Sequence, residues 1–296
     1  MARGGLRPRR PRRRVPPERR DVPRLDRRSV MDLELDGKVA VVGGGSDGLG
    51  YAVAERLLRE GASVTIFARR AEKVAAAARR LAGTYGEERV LGLAADCSAD
   101  ADIERVTTAT LDRFGPAVHV LVTNDGGPPI RRISDLTDEV WLKAFERHFF
   151  YVVRSVRATL PHMTAQGGSI LNVVSGVVER PAVGMAAPVG VWSAVIGYAR
   201  TLALEVARQD INVNTLLSGF FDTTLLDGML KRQPELSRAD LGNGIPMGRI
   251  GQPREFAGLV GALVSPRLRF VTGAVIPVDG GAGIGMGASF DSPTAK

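Results

Sequence analysis

Val39-Ala-Val-Val-Gly-Gly-Gly-Ser-Asp-Gly-Leu-Gly50 decides how the rest of this chain reads. A short β-rich apolar run feeds a glycine cluster, which opens into a stretch where Val53, Leu57 and Leu58 recur at helical spacing. Glycine there permits a sharp turn and lets backbone N–H groups and a helix N-terminus approach a diphosphate with no Cβ in the way. A glycine cluster alone equally fits a plain loop. Its position separates the two readings: strand, glycine loop, helix and a second strand ending near Ala68 compose the βαβ unit, roughly 30 residues long, of a dinucleotide site. Gly44, Ser46, Gly48, Leu49 and Gly50 are the candidate diphosphate contacts.

Outward from this unit, short apolar runs alternate with amphipathic helical stretches, with no long polar linker to mark a second domain. Strands are predicted at 39–42, 63–67, 90–93, 118–122, 169–174, 211–216 and 274–278. Helices are predicted at 49–60, 71–82, 102–114, 138–162, 190–208 and 253–264. The strands are continuous Val/Ile/Leu runs rather than alternating ones, so both faces of the sheet are covered. The fold class is therefore α/β, a single doubly wound parallel sheet of about seven strands, with chemistry in the loops beyond the strands' carboxyl ends. Residues 218–245 read as a lid of amphipathic turns over a substrate.

Of the 296 residues one is cysteine, so no intramolecular disulfide forms, and no CxxC or HExxH spacing offers a metal site. No stretch of about 18 uninterrupted apolar residues occurs, nor an apolar signal segment, and the expected setting is cytoplasmic. The net charge of +8 suggests nucleic acid until it is located: residues 1–30 hold 12 arginines against 3 acidic residues, and the remainder carries −1. That Arg/Pro-rich leader has too little apolar surface to repay its ordering entropy and is expected to be disordered. A basic arm for RNA or anionic lipid, a transit peptide, or sequence upstream of a true start at Met31 would each explain it. Met31 stands just ahead of the first strand, which favours the third, so the domain is taken as 31–296 and nucleic acid is expected only through the leader.

Beyond the second strand, a carboxylate would suit the ribose 2′-OH of NAD and an arginine the 2′-phosphate of NADP. The chain has Arg69 and Arg70 there, with no acid before Glu72, so NADP(H) is expected over NAD(H).

These residues resemble the short-chain dehydrogenase/reductase family over nearly all of 38–281. Gly43 to Gly50 is similar to its TGxxxGxG loop, with Gly43 in the threonine place. Asp96 matches the aspartate that contacts adenine, and Thr123-Asn-Asp-Gly126 stands where the family writes NNAG. The run at 214–223 resembles the stretch that ends in a threonine at the cofactor amide, here Thr223. The 123–129 run is similar to a divergent ketoacyl-carrier-protein-reductase-like branch. The resemblance implies a Rossmann fold, Asn124 and Gly126 beside the cofactor, a small-molecule substrate, and a homodimer or homotetramer paired through the long helices at 138–162 and 190–208.

The family's catalytic tyrosine and lysine have no counterpart. Ser175 takes the serine place, and counting onward puts Pro188 and Trp192 where the dyad belongs, with His148 in the asparagine place. Independently of alignment, the four tyrosines are followed four residues later by Glu55, Arg89, Ser155 and Leu202, so YxxxK is absent. A positioned general acid contributes roughly 10²–10⁴ in rate, so ordinary carbonyl reduction needs a replacement. His148 is one candidate, with a core or interface histidine as the alternative. Asp125 fits either a His148 partner or an Asx turn before Gly126-Gly127, and Ser175 either a substrate contact or a strand-end cap. Pro188 and Trp192 predict a dry, flat pocket for an apolar or aromatic substrate, or for none. Two functions follow: an atypical NADP(H)-dependent oxidoreductase on a small carbonyl, imine or enone, or a nucleotide-binding pseudoenzyme or non-redox cyclase or lyase on the same scaffold.

Overall fold

The opening run forms the strand Val39–Gly43 (β1), buried along its length, with Ala40 and Val42 facing one core and Val41 the other. This is the computed structural model of the chain, and it describes residues 32–163 and 167–284; the leader at 1–30 and Met31 lie outside the described residues. The described residues from Leu33 to Ile284 pack as one unit. The glycine loop leads into Gly48–Arg59 (α1), then Ser63–Ala68 (β2), Ala71–Tyr85 (α2), Val90–Ala94 (β3), Asp100–Phe114 (α3) and Val120–Thr123 (β4). The second half runs Asp138–Ala144 (α4), Phe150–Thr159 (α5), Gly168–Ser175 (β5), Ala186–Val206 (α6) and Ile211–Ser218 (β6). Thr224–Arg232 (α7), Arg238–Asn243 (α8), Pro253–Leu263 (α9) and Val275–Val278 (β7) complete it.

The sheet order is β3-β2-β1-β4-β5-β6-β7, with each pairing parallel. The order reverses between β1 and β4, which opens a crevice beyond their carboxyl ends for a ligand. Two cores flank the sheet. Val53, Leu57 and Leu58 of α1 join α2 and α9 on one face, while Ile103, Val152, Val195 and Ala199 bring α3, α5 and α6 onto the other. Each fully buried Val or Leu contributes roughly 1.5–3 kcal/mol, which is what holds these helices down.

Four predicted elements differ for local reasons. The Val118 N–H goes to the His162 carbonyl (3.1 Å), so β4 starts at Val120. The Ala274 N–H goes to Asn214 Oδ1 (3.1 Å), so β7 starts at Val275. The helix expected at 138–162 is broken by a π turn, Phe145–Phe149, and closes in a 3₁₀ turn at Leu160–His162. Helix α6 starts four residues earlier than expected, because Pro188 falls in its first turn, where proline costs no helical hydrogen bond. The segment Ala186–Gln209 is long and apolar enough to cross a membrane by length and composition. Its inner residues Ala187, Val191, Val195 and Leu202 are buried in the domain.

Candidate active site

At the mouth of the crevice the glycine loop is held tightly. Gly44 has φ +61°, and a Cβ there would lie 2.5 Å from Asn124 Nδ2 and 2.7 Å from the Asn124 carbonyl. A Cβ at Gly50 would overlap the Gly44 carbonyl. Asp47 caps α1, its Oδ1 accepting from the Gly48 N–H at 2.8 Å, while its Oδ2 accepts from the Thr224 hydroxyl at 2.6 Å. The N–H groups of Leu49 and Gly50 find no acceptor among the described residues. Free amides at a helix N-terminus, in a loop with little room for side chains, fit a diphosphate.

Next along the crevice, Arg69 and Arg70 follow β2, both exposed and neither in an ion pair among the described residues. Asp96, after β3, accepts from the Ser98 N–H (3.0 Å) and hydroxyl (2.7 Å). Those bonds, with Arg147 and Arg69 nearby, hold its carboxyl below the ordinary range. Asn124 Nδ2 donates to the Gly43 carbonyl at 3.4 Å. Gly126 is exposed, with open space where a Cβ would stand. The Thr223 methyl is 3.4 Å from where a Gly48 Cβ would be, so the start of the lid touches the glycine loop. Lys73, Arg79 and Arg80 of α2 join Ser46, Asp47 and Thr224 around a cavity of about 650 Å³. The sequence reading missed these three cations. They are ordinary exposed helix charges until α2 is placed beside the glycine loop.

The other wall carries the titratable groups. His148 sits in the π turn, 5% exposed, with Nδ1 in a short contact to Asp125 Oδ2. The other Asp125 oxygen accepts from the Gly127 N–H at 3.2 Å, so both roles expected for Asp125 are present together. A carboxylate at Nδ1 fixes the orientation of the ring. Ser175 accepts from the Val177 N–H at 3.4 Å at the end of β5, and no hydrogen bond joins it to His148. Tyr151, three residues after His148, is fully buried, and burial pushes its hydroxyl pKa well above the ordinary value. Burial likewise pushes the Cys97 thiol up to about 12, which leaves it unreactive. Pro188 is buried and Trp192 half-buried, its ring 2.8 Å from where a Gly127 Cβ would stand.

Comparison with known proteins fits this geometry. Residues 44–283 match the family described as enoyl-(acyl carrier protein) reductase. The chain is 35% identical over 250 residues to 2,3-dihydroxy-2,3-dihydro-p-cumate dehydrogenase of Pseudomonas putida, covering 84% of this chain and 95% of that one. The chain belongs to the short-chain dehydrogenase/reductase family. Among solved structures of the family, L-sorbose reductase from Gluconobacter frateurii, complexed with NADPH and L-sorbose, is similar at TM-score 0.80 and 29% identity. That match covers 86% of this chain and all of the other. A short-chain oxidoreductase from Pseudomonas aeruginosa PAO1, described as containing an atypical catalytic center, is similar at TM-score 0.78 and 31% identity, covering 83% and 97%. By family this chain is a short-chain-type oxidoreductase on a Rossmann-like sheet.

Proposed function

We propose that this chain is an NADP(H)-dependent oxidoreductase of non-standard active site, acting on a small, apolar carbonyl, imine or enone with His148 as its proton donor. The observation that carries it is the buried Asp125–His148 contact, adjacent in sequence to Asn124, which packs on the glycine loop. Under this reading the Leu49 and Gly50 amides and Ser46 hold the diphosphate, and Arg69 and Arg70 hold the 2′-phosphate. Asp96 holds the adenine, Asn124 and Gly126 flank the nicotinamide ribose, and Thr223 meets the carboxamide. When bound, NADPH supplies the hydride. Asp125 keeps a proton on His148 Nδ1, His148 releases one from Nε2, and Ser175 orients the substrate. Pro188 and Trp192 keep water out, which favours an apolar substrate. We also assign it to the cytoplasm, as a homodimer or homotetramer paired along α4, α5 and α6.

Stopped-flow absorbance at 340 nm against ketones, cyclic imines and enones tests this. Oxidation of NADPH by an imine or enone is expected. Calorimetry is expected to show NADPH bound more tightly than NADH, with Arg69→Ala/Arg70→Ala removing roughly 10–100-fold of NADPH affinity and leaving NADH unchanged. A second reading is favoured by Pro188 and Trp192, which offer no ionisable group where the family has its tyrosine and lysine. It makes the chain a nucleotide-binding pseudoenzyme or a non-redox cyclase or lyase. Nucleotide binding with no oxidation by any substrate class would select that reading.

A further inference from the structure

Gly43 closes β1, and the space its side chain would take is already occupied. A Cβ built there would overlap the Tyr151 hydroxyl outright and lie 3.0 Å from Tyr151 Cζ and 3.2 Å from the Asn124 carbonyl. Backbone freedom does not explain this glycine. Gly43 is a buried strand residue in parallel register with Phe67 and is absent from the left-handed positions. The occupant comes from the first turn of α5. The Tyr151 ring stands edge-on to Phe67, centroids 6.2 Å apart. Its hydroxyl is fully buried beside the Asn124 backbone N–H and closes no well-formed hydrogen bond among the described residues. A buried hydroxyl that gives up water for so little lowers stability, so packing alone would select phenylalanine. What the hydroxyl does touch is the seam between the loops after β1 and β4, where Asn124 already bonds the Gly43 carbonyl and abuts Gly44.

We propose that Tyr151 is a positioning residue whose hydroxyl, delivered from α5 into the space left by Gly43, pins the glycine loop against the end of β4. It does from a helix what a hydroxyl side chain at position 43 would do from the strand. Gly43 and Tyr151 are therefore an obligate pair. The π turn and α5 then grip both loops at once, His148 holding Asp125 and Tyr151 holding the Gly43–Asn124 seam. The effect on cofactor affinity rests on the reading that this loop binds a dinucleotide, whereas the steric pairing does not.

Four variants of the full chain test it by thermal melting and by calorimetry with NADPH. Gly43→Ala is expected to lower the melting temperature by roughly 5–10 °C, because its Cβ meets the hydroxyl. Gly43→Ala/Tyr151→Phe is expected to recover most of that loss, since the nearest atom becomes Cζ, which needs to give only a few tenths of an ångström. Tyr151→Phe alone keeps the native melting temperature or raises it, yet weakens NADPH binding by roughly 3–10-fold. Gly43→Thr/Tyr151→Phe moves a hydroxyl from helix to strand and restores native NADPH affinity, which Gly43→Ala/Tyr151→Phe does not. Equal destabilisation by Gly43→Ala beside tyrosine and beside phenylalanine would overturn the pairing. Native NADPH affinity in Tyr151→Phe would overturn the positioning role. If the unaltered chain binds no dinucleotide, the cofactor reading fails and the affinity effect with it, while the melting data still decide the pairing.

Discussion

His148 and Asp125 are 23 residues apart in the chain and meet only because the loop after β4 and the π turn share one wall of the crevice. If His148 gives the proton, His148→Gln is expected to slow single-turnover NADPH oxidation by roughly 10²–10⁴ while NADPH affinity stays native. A parallel loss of affinity would instead make the histidine a packing residue. Asp125→Asn keeps an oxygen for the Gly127 N–H and removes the charge that holds the imidazole proton. It should therefore lower the rate with little change in melting temperature. From sequence, Asp125 fitted a turn or a histidine partner. The structure gives one carboxylate oxygen to each, a division no local pattern encodes. Lys73, Arg79 and Arg80 were invisible for a similar reason, since a charge on an amphipathic helix gains a role only from what faces it.

At the scale of elements, most strands and helices follow from apolar periodicity, and the exceptions mark where backbone groups bond outside the regular pattern. The π turn is the main one. Its wider turn inserts a residue into a helical pattern that reads as continuous, and nothing in the 138–162 spacing signals it. Two caps yield predictions. Asp47 joins the N-terminus of α1 to Thr224 of α7, so Asp47→Ala is expected to cost about 0.5–2 kcal/mol in chemical denaturation and to loosen the lid. At the start of α9, Glu255 accepts from Arg249 (2.6 and 2.8 Å) and from the Gln252 N–H (2.8 Å), which lowers its pKa from 4.5 to about 2. A carboxyl depressed by folding stabilises fully above its unfolded pKa, and that contribution is lost as pH falls through the folded value. Melting temperature followed between pH 4.5 and 2 should thus fall less steeply in Glu255→Gln than in the native chain.

For the whole molecule, α6 presents Ser193, Gly197, Thr201 and Leu204 outward, and Leu204 is 83% exposed. A Cβ at Gly197 would meet nothing within 4 Å in its own chain. Gly197→Phe should therefore fold normally and, if subunits pair along this helix, shift sedimentation from dimer or tetramer to monomer; an unchanged assembly would place the interface elsewhere. By itself the sequence determined the alternation of strand and helix, the parallel sheet covered on both faces, the glycine loop and the arginines after β2. Those depend on periodicity and on backbone requirements that act between near neighbours in the chain. Tertiary structure alone decided that Asp125 meets His148, that three α2 cations border the glycine loop, and that Tyr151 fills the space Gly43 leaves. Contacts across the sheet's switch point join residues far apart in sequence. Their distances are set by how two cores pack, a collective property that no stretch of the chain carries on its own.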